Sequence, residues 1–128
     1  MHDEWRGGRV LAVLFRDART FSHWQQRPVS EALIEAAFDL ACLGPTSGNC
    51  QPMRLVLVQS PGAKERLLPC VSSGNYEKVG TAPITAIVAY DREFFELLPR
   101  LYPHTDARGW FTGNAALVEE TGLRNSSL

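Results

Sequence analysis

The sequence has no long apolar run, no marked excess of either charge, and only three cysteines in 128 residues. Each shortage removes a class of function. VLAVLF, residues 10 to 15, is far too short for a membrane span or for a signal peptide with its cleavage site. Acids already precede it in MHDEWRGGRV, so neither membrane insertion nor export is expected. Thirteen basic residues stand against 14 acidic ones, a net charge of −1. That balance offers no field to hold a phosphate backbone, so nucleic acid is not an expected partner. Cys42, Cys50 and Cys70 are odd in number and form neither a CxxC pair nor a zinc ribbon, which points to reduced thiols in the cytoplasm. His104 and Asp106 could begin a metal site, but a catalytic zinc needs three protein ligands and the other histidines are His2 and His23. No metal is expected. Internal repeats and low-complexity tracts are also missing.

What is present suits one globular domain over residues 1–128, with a hydrophobic content of 45%. Val10 to Ala18 reads as a short amphipathic helix. Ser30 is a good N-cap, with Glu31 in the first turn and Val29 placed to staple against Ile34. Leu33, Ile34, Ala37, Phe38 and Ala41 follow at helical spacing, and Gly44-Pro45 supplies the stop. MRLVLVQ, residues 53–59, and ITAIVAY, residues 84–90, read as strands, the first apolar enough to be covered on both faces. Between them SPG reads as a turn, AKERLLPCV as a short helix broken near Pro69, and SSGNYEKVGTAP as irregular. REFFELLPRL, from Arg92, is helical in pattern but should end or kink at Pro99. HTDARGWFTGN reads as a loop, and Asn114 can cap the helix AALVEETGL. Asn125 and Ser126 look like the cap of a further helix. The sum is an α+β fold, helices around a small sheet of two convincing strands, which is few for a sheet standing alone.

GPTSGNCQP, residues 44–52, fills the junction between the Ser30 helix and the first strand. Such junctions use Gly, Pro, Ser and Asn for turn geometry alone. Here, however, Thr46, Ser47, Asn49 and Gln51 offer more donors and acceptors than one turn can use, and small neighbours let a planar polar ligand approach. The loop is not a P-loop, since the GK[ST] ending is absent. Cys50 is either a nucleophile activated by a nearby base or a small residue packed under the loop. Arg19 either grips a phosphate bidentately or caps the last carbonyls of the first helix.

The Arg19-Thr20 pair, GPTSGNCQP, SSGN and TAPITAIVA occur in an order that resembles the flavin-dependent nitroreductase family. GPTSGNCQP, SSGNYEKVGTAPITAIVAYD, LPRLYPH, DARGWF and EETGLRNSS are similar to its malonic semialdehyde reductase branch, the RutE type, also called 3-hydroxypropanoate dehydrogenases. The resemblance runs from about Val10 to the last residue. It implies an FMN-dependent nitroreductase-like fold. By motif position it places Pro45, Ser47, Asn49 and Gln51 against FMN, Arg19 and Thr20 near the ribityl phosphate, and Asn75 as a further flavin contact. The implied chemistry is ping-pong: NADH or NADPH reduces FMN, and reduced FMN passes hydride to a small aldehyde such as malonic semialdehyde, with nitro compounds as side substrates. The protein itself supplies little acid or base catalysis, so no catalytic residue is assigned. Family members are homodimers with flavin at the subunit interface.

The chain departs from the family in two ways. The usual further basic residue near Ser22 is absent. Family members also continue with a long core helix, a glycine-containing flavin loop and a final strand, so the resemblance implies the N-terminal portion of the family domain. The alternative expectation is a truncated, non-catalytic fragment that binds no FMN.

Overall fold

A computed structural model describes residues 8–127; residues 1–7, with His2, and Leu128 lie outside it. Helix α1 covers residues 8–16 and widens to π winding over Ala12–Arg16, closed by Asp17 N–H donating to the Ala12 carbonyl at 2.7 Å. Helix α2 is Glu31–Ala41. Ser30 Oγ accepts from Leu33 N–H at 3.3 Å, so the helix begins at the expected cap. Its end is also local: Gly44 N–H reaches the Ala41 carbonyl at 3.0 Å before Pro45 turns the chain away.

Strands β1 (Met53–Val58) and β2 (Thr85–Tyr90) pair antiparallel, with Met53 opposite Tyr90 and Val58 opposite Thr85. Both lie where the apolar runs placed them. The expected cover on both faces of β1 is not observed. Val56 and its cross-strand partner Ile87 share a face and remain 53% and 39% exposed.

The connection between the strands is more helical than its composition suggests. SPG is the start of a helix rather than a free turn: Ser60 Oγ caps α3 (Pro61–Leu67) by accepting from Ala63 N–H at 3.3 Å, and Pro61 sits in the first turn. SSGNYEKVGTAP, expected to be irregular, forms a 3₁₀ turn at Ser73–Asn75 and then α4 (Tyr76–Thr81). The C-terminus of α4 is satisfied from a distance. Lys64 of α3 is buried, and its ammonium donates to the carbonyls of Val79 (3.0 Å) and Ala82. Trp24 Nε1 donates to the Lys78 carbonyl at 2.7 Å, tying the segment before α2 to the same helix.

After β2, Phe94–Leu97 is a 3₁₀ turn that runs into α5 (Leu98–Leu101). Pro99 lies in the first turn of α5, where a missing N–H costs nothing, so it opens this helix instead of ending one. Arg108–Trp110 is another 3₁₀ turn. Its Arg108 grips Glu96 with two bonds of 2.7 and 2.8 Å, fastening it to the Phe94–Leu97 turn. Helix α6 is Ala115–Ser126, and Asn114 Oδ1 accepts from Leu117 N–H at 3.1 Å, as its capping role predicts. Asn125 and Ser126 belong to α6 itself.

The core lies among Cys50, Phe94, Leu98, Ala107, Phe111 and Val118. Phe94 meets Phe111 edge-on with ring centroids 5.0 Å apart. Burying each such ring stabilises by roughly 1.5–3 kcal/mol. The residues at 107 and 111, read from sequence as loop, are therefore central to packing. By contrast, α2 contributes no buried residue. Its apolar side, through Ile34, Ala37, Phe38 and Ala41, looks across a cavity of about 700 Å³ toward Leu55, Leu57 and Ala86 of the sheet.

Candidate functional site

The loop 44–52 leads from α2 into β1 over the Phe94–Phe111 core. Thr46 is extended, and Ser47–Asn49 then makes one 3₁₀ turn in which Asn49 N–H bonds the Thr46 carbonyl at 2.9 Å. Three residues close together have positive φ: Gly48 at 56°, Asn49 at 53° and Gln51 at 42°. Glycine adopts that region freely and asparagine tolerates it, whereas Gln51 does so at a cost on the order of 1–3 kcal/mol. Such a conformation persists only if its surroundings over-determine it.

The determinants are visible. Thr46 Oγ1 accepts from Gln51 N–H at 3.2 Å, closing the loop on itself. Arg54 Nη1 donates to the Gln51 carbonyl at 3.0 Å, while its Nη2 pairs with Asp91 Oδ2 at 2.9 Å beyond the end of β2. Asn49 Nδ2 donates to the Leu101 carbonyl at 3.1 Å and Asn49 Oδ1 accepts from Gln51 Nε2 at 3.2 Å. Ser47 N–H donates to Asn125 Oδ1 at 2.8 Å. From below, the fully buried side chains of Cys50 and Pro52 plug the loop into the core.

With the backbone so held, polar groups are left facing outward. Pro45, Ser47 and Asn49 are exposed and Gln51 is half-buried. Among the described residues the Ser47 hydroxyl makes no hydrogen bond to protein, and the Gln51 side-chain carbonyl makes none either. A hydroxyl, an amide carbonyl and the spare N–H groups of Asn49 and Gln51 are the mixed donors and acceptors that the polar edge of an isoalloxazine ring requires. The residues present fit that group. Trp110 stands alongside: a Cβ on Gly48 would lie 3.6 Å from its Cζ3 atom. Tyr102 follows at 5.9 Å between ring centroids.

The structure thus gathers Pro45, Ser47, Asn49 and Gln51 in one loop and leaves the other three predicted residues without a hydrogen bond to it. Arg19 Nη1 donates to the carbonyls of Arg16 (3.2 Å) and Ala18 (2.7 Å), the helix-end role that was its alternative. Thr20 is exposed in the irregular segment beyond. Asn75 Nδ2 bonds Ser72 Oγ at 3.2 Å within its own turn. Cys50 is the packed residue of the two alternatives. It is inaccessible, and burial pushes its thiol pKa up against the opposing effect of the Thr46 hydroxyl. His104 packs edge-on against Tyr102 at 5.4 Å, and Asp106 Oδ1 accepts from Gly109 N–H at 3.2 Å.

Sequence reasoning missed Arg54, the Leu101 carbonyl and Asn125. A signal existed for Arg54, a lone charge at the mouth of an apolar strand. None existed for the Asn125–Ser47 bond, which joins residues 78 apart in the chain.

No family model matches the chain. Solved structures do. The Bacillus subtilis protein ydfN, described as a nitroreductase, superposes with a TM-score of 0.79 at 20% identity, over 94% of this chain and 66% of its own. An Exiguobacterium sibiricum 255-15 protein, described as a nitroreductase and solved in complex with FMN, gives 0.80 at 19% identity, over 91% and 63%. CLA-ER, an enone reductase of gut-bacterial fatty acid saturation metabolism, gives 0.75 at 16% identity, over 91% and 64%. The fold is nitroreductase-like, and the chain spans between 63% and 66% of the length of these three proteins.

Proposed function

We propose that this chain carries the flavin loop of an FMN-dependent NAD(P)H oxidoreductase acting on a small aldehyde. Its motifs favour reduction of malonic semialdehyde to 3-hydroxypropanoate, with nitro compounds as side substrates. The observation that carries the reading is the loop 45–51, whose strained backbone is fixed by five hydrogen-bonded side chains while Ser47, Asn49 and Gln51 keep polar atoms facing outward. A loop that served only as a turn would not need Gln51 in a left-handed conformation. The shared fold with a protein solved in complex with FMN adds support.

Bound FMN would supply the hydride chemistry, taking hydride from NADH or NADPH and giving it to a carbonyl or nitro group. The chain's own part is to bind and orient. Ser47 Oγ and the Asn49 and Gln51 amides would hold the ring edge, Pro45 would border it, and Arg19, Thr20 and Asn75 remain the proposed outer contacts by motif position. We place the working form in the cytoplasm as a homodimer. The exposed apolar residues of α1, Leu14 at 59% and Phe15 at 72%, support a partner surface there.

A second reading is that the chain keeps the fold and binds no flavin. The open cavity beneath α2 and the bare sheet face at Val56 and Ile87 favour it. The FMN content of the purified chain, measured by absorbance of the released flavin, separates the two. Near-stoichiometric FMN supports the first reading, and NADH oxidation with malonic semialdehyde is then the assay of substrate. A chain that stays colourless after incubation with FMN supports the second.

A further inference from the structure

Asn125 lies one residue before the end of α6, and its amide is used at both ends. Its Oδ1 accepts from Ser47 N–H at 2.8 Å and its Nδ2 donates to the Thr121 carbonyl at 2.8 Å. The partners fix which way round the amide sits, since the flipped form would set NH₂ against N–H and oxygen against oxygen. The position of that amide is in turn set by α6. Val118 is anchored in the core, and Gly122, three residues before Asn125, lies hard against Tyr90. A rigid helix therefore delivers one acceptor to the start of the left-handed stretch of the loop. Engaging the Ser47 main chain fixes the residue whose hydroxyl has no protein partner among the described residues and leaves that hydroxyl to face outward.

We infer that Asn125 is a positioning residue, which holds Ser47 and the turn after it in the conformation that meets the ligand. This rests on the flavin-loop reading above, and nothing in the loop motif itself points to it. The substitutions that test it are Asn125→Ala and Asn125→Asp. A protonated Asp has the shape of Asn, accepting from Ser47 N–H with one oxygen and donating O–H to the Thr121 carbonyl. An ionised Asp turns a bare oxygen on that carbonyl.

Two measurements on the full chain decide the matter. The first is amide hydrogen exchange at Ser47 without ligand. Asn125→Ala should raise it about tenfold while Val118 and the strand amides keep their protection. The second is FMN titration, followed by the position of the flavin visible band. Asn125→Ala should weaken binding about fivefold to tenfold and move the band, consistent with the loss of one hydrogen bond that orders the loop. Asn125→Asp, normalised to the unmodified chain, should bind FMN as tightly at low pH and more weakly once the carboxyl ionises.

Unchanged Ser47 exchange in Asn125→Ala overturns the inference. Raised exchange with unaltered FMN affinity and band position also overturns it, since Asn125 would then be a structural tie only. A chain without any FMN affinity sinks the flavin reading. The exchange result alone then supports or overturns the role of Asn125 in ordering the loop.

Discussion

Gly122 of α6 lies so close to the ring of Tyr90 that a Cβ at this position would overlap Tyr90 Cδ2 and stand 2.7 Å from Cε2. Tyr90 is the last residue of β2 and pairs with Met53, the first residue of β1. The contact therefore sets the distance between α6 and the end of the sheet that the loop enters.

Gly122→Ala should destabilise the chain by about 1–3 kcal/mol, the range for an extra methyl forced into a packed contact. Glycine's low helix propensity would by itself make the same change stabilising in a helix interior. Urea unfolding tells the two effects apart: a midpoint equal to or above that of the parent would show that the Tyr90 ring simply moves aside.

Asn49 combines a left-handed backbone with side-chain bonds to Leu101 and Gln51, and two substitutions separate these roles. Asn49→Ala should cost about 1–2 kcal/mol from strain and a lost hydrogen bond, and Asn49→Gly less, because glycine keeps the backbone. If flavin binding depends on the amide, both variants lose it although only one is appreciably destabilised. Flavin occupancy undiminished in Asn49→Gly would remove this residue from the proposed contacts.

Lys64 closes α4 by donating to the carbonyls of Val79 and Ala82 from a buried position. Lys64→Met keeps most of the stem and removes the donors, leaving both carbonyls short of a partner. A loss of about 1–3 kcal/mol is expected in thermal or urea unfolding. Melting indistinguishable from the parent would mean that water replaces the ammonium freely.

The three thiols are free, and they differ in access: Cys70 is exposed, Cys42 half-buried and Cys50 buried. Iodoacetamide at neutral pH should modify Cys70 first and Cys50 only on unfolding, and equal rates would contradict the burial. The raised pKa of Cys50 also carries a sign. The folded state holds the proton more tightly than the unfolded one, so this contribution is complete below the ordinary value of 9.0 and is lost as pH rises through the higher folded value. Stability should therefore fall more steeply above pH 9.0 in the parent chain than in Cys50→Ala.

How far the sequence could be read depended on the range of the interaction concerned. Ser30 and Asn114 cap helices with their own side chains, and the runs at 53–58 and 85–90 pair as strands. In each case the signal lies within a few residues of the element it sets. Tyr76–Thr81 escaped because no side chain caps its start and the carbonyls at its end are satisfied by Lys64, 15 residues before Val79 and 18 before Ala82. Ala107 and Phe111 read as loop because their partners, Phe94 and Leu98, belong to other elements, the Phe94–Leu97 turn and α5. Pro99 reads as an end or a kink, yet position within the turn decides whether a proline breaks or begins a helix.

The candidate site divides along the same line. Its loop was legible, since the density of small polar residues between a helix stop and an apolar strand is a local property of residues 44–52. What makes that loop a fixed surface was not: Asn125, the Leu101 carbonyl and the Arg54–Asp91 pair arrive from elements brought together only by folding. By itself the sequence determined where α2, α6 and the two strands begin, because caps and apolar periods act over one or two turns. The tertiary structure decided which polar groups hold the loop and which face outward, because a hydrogen bond between residues 78 apart exists only after the core has set their distance.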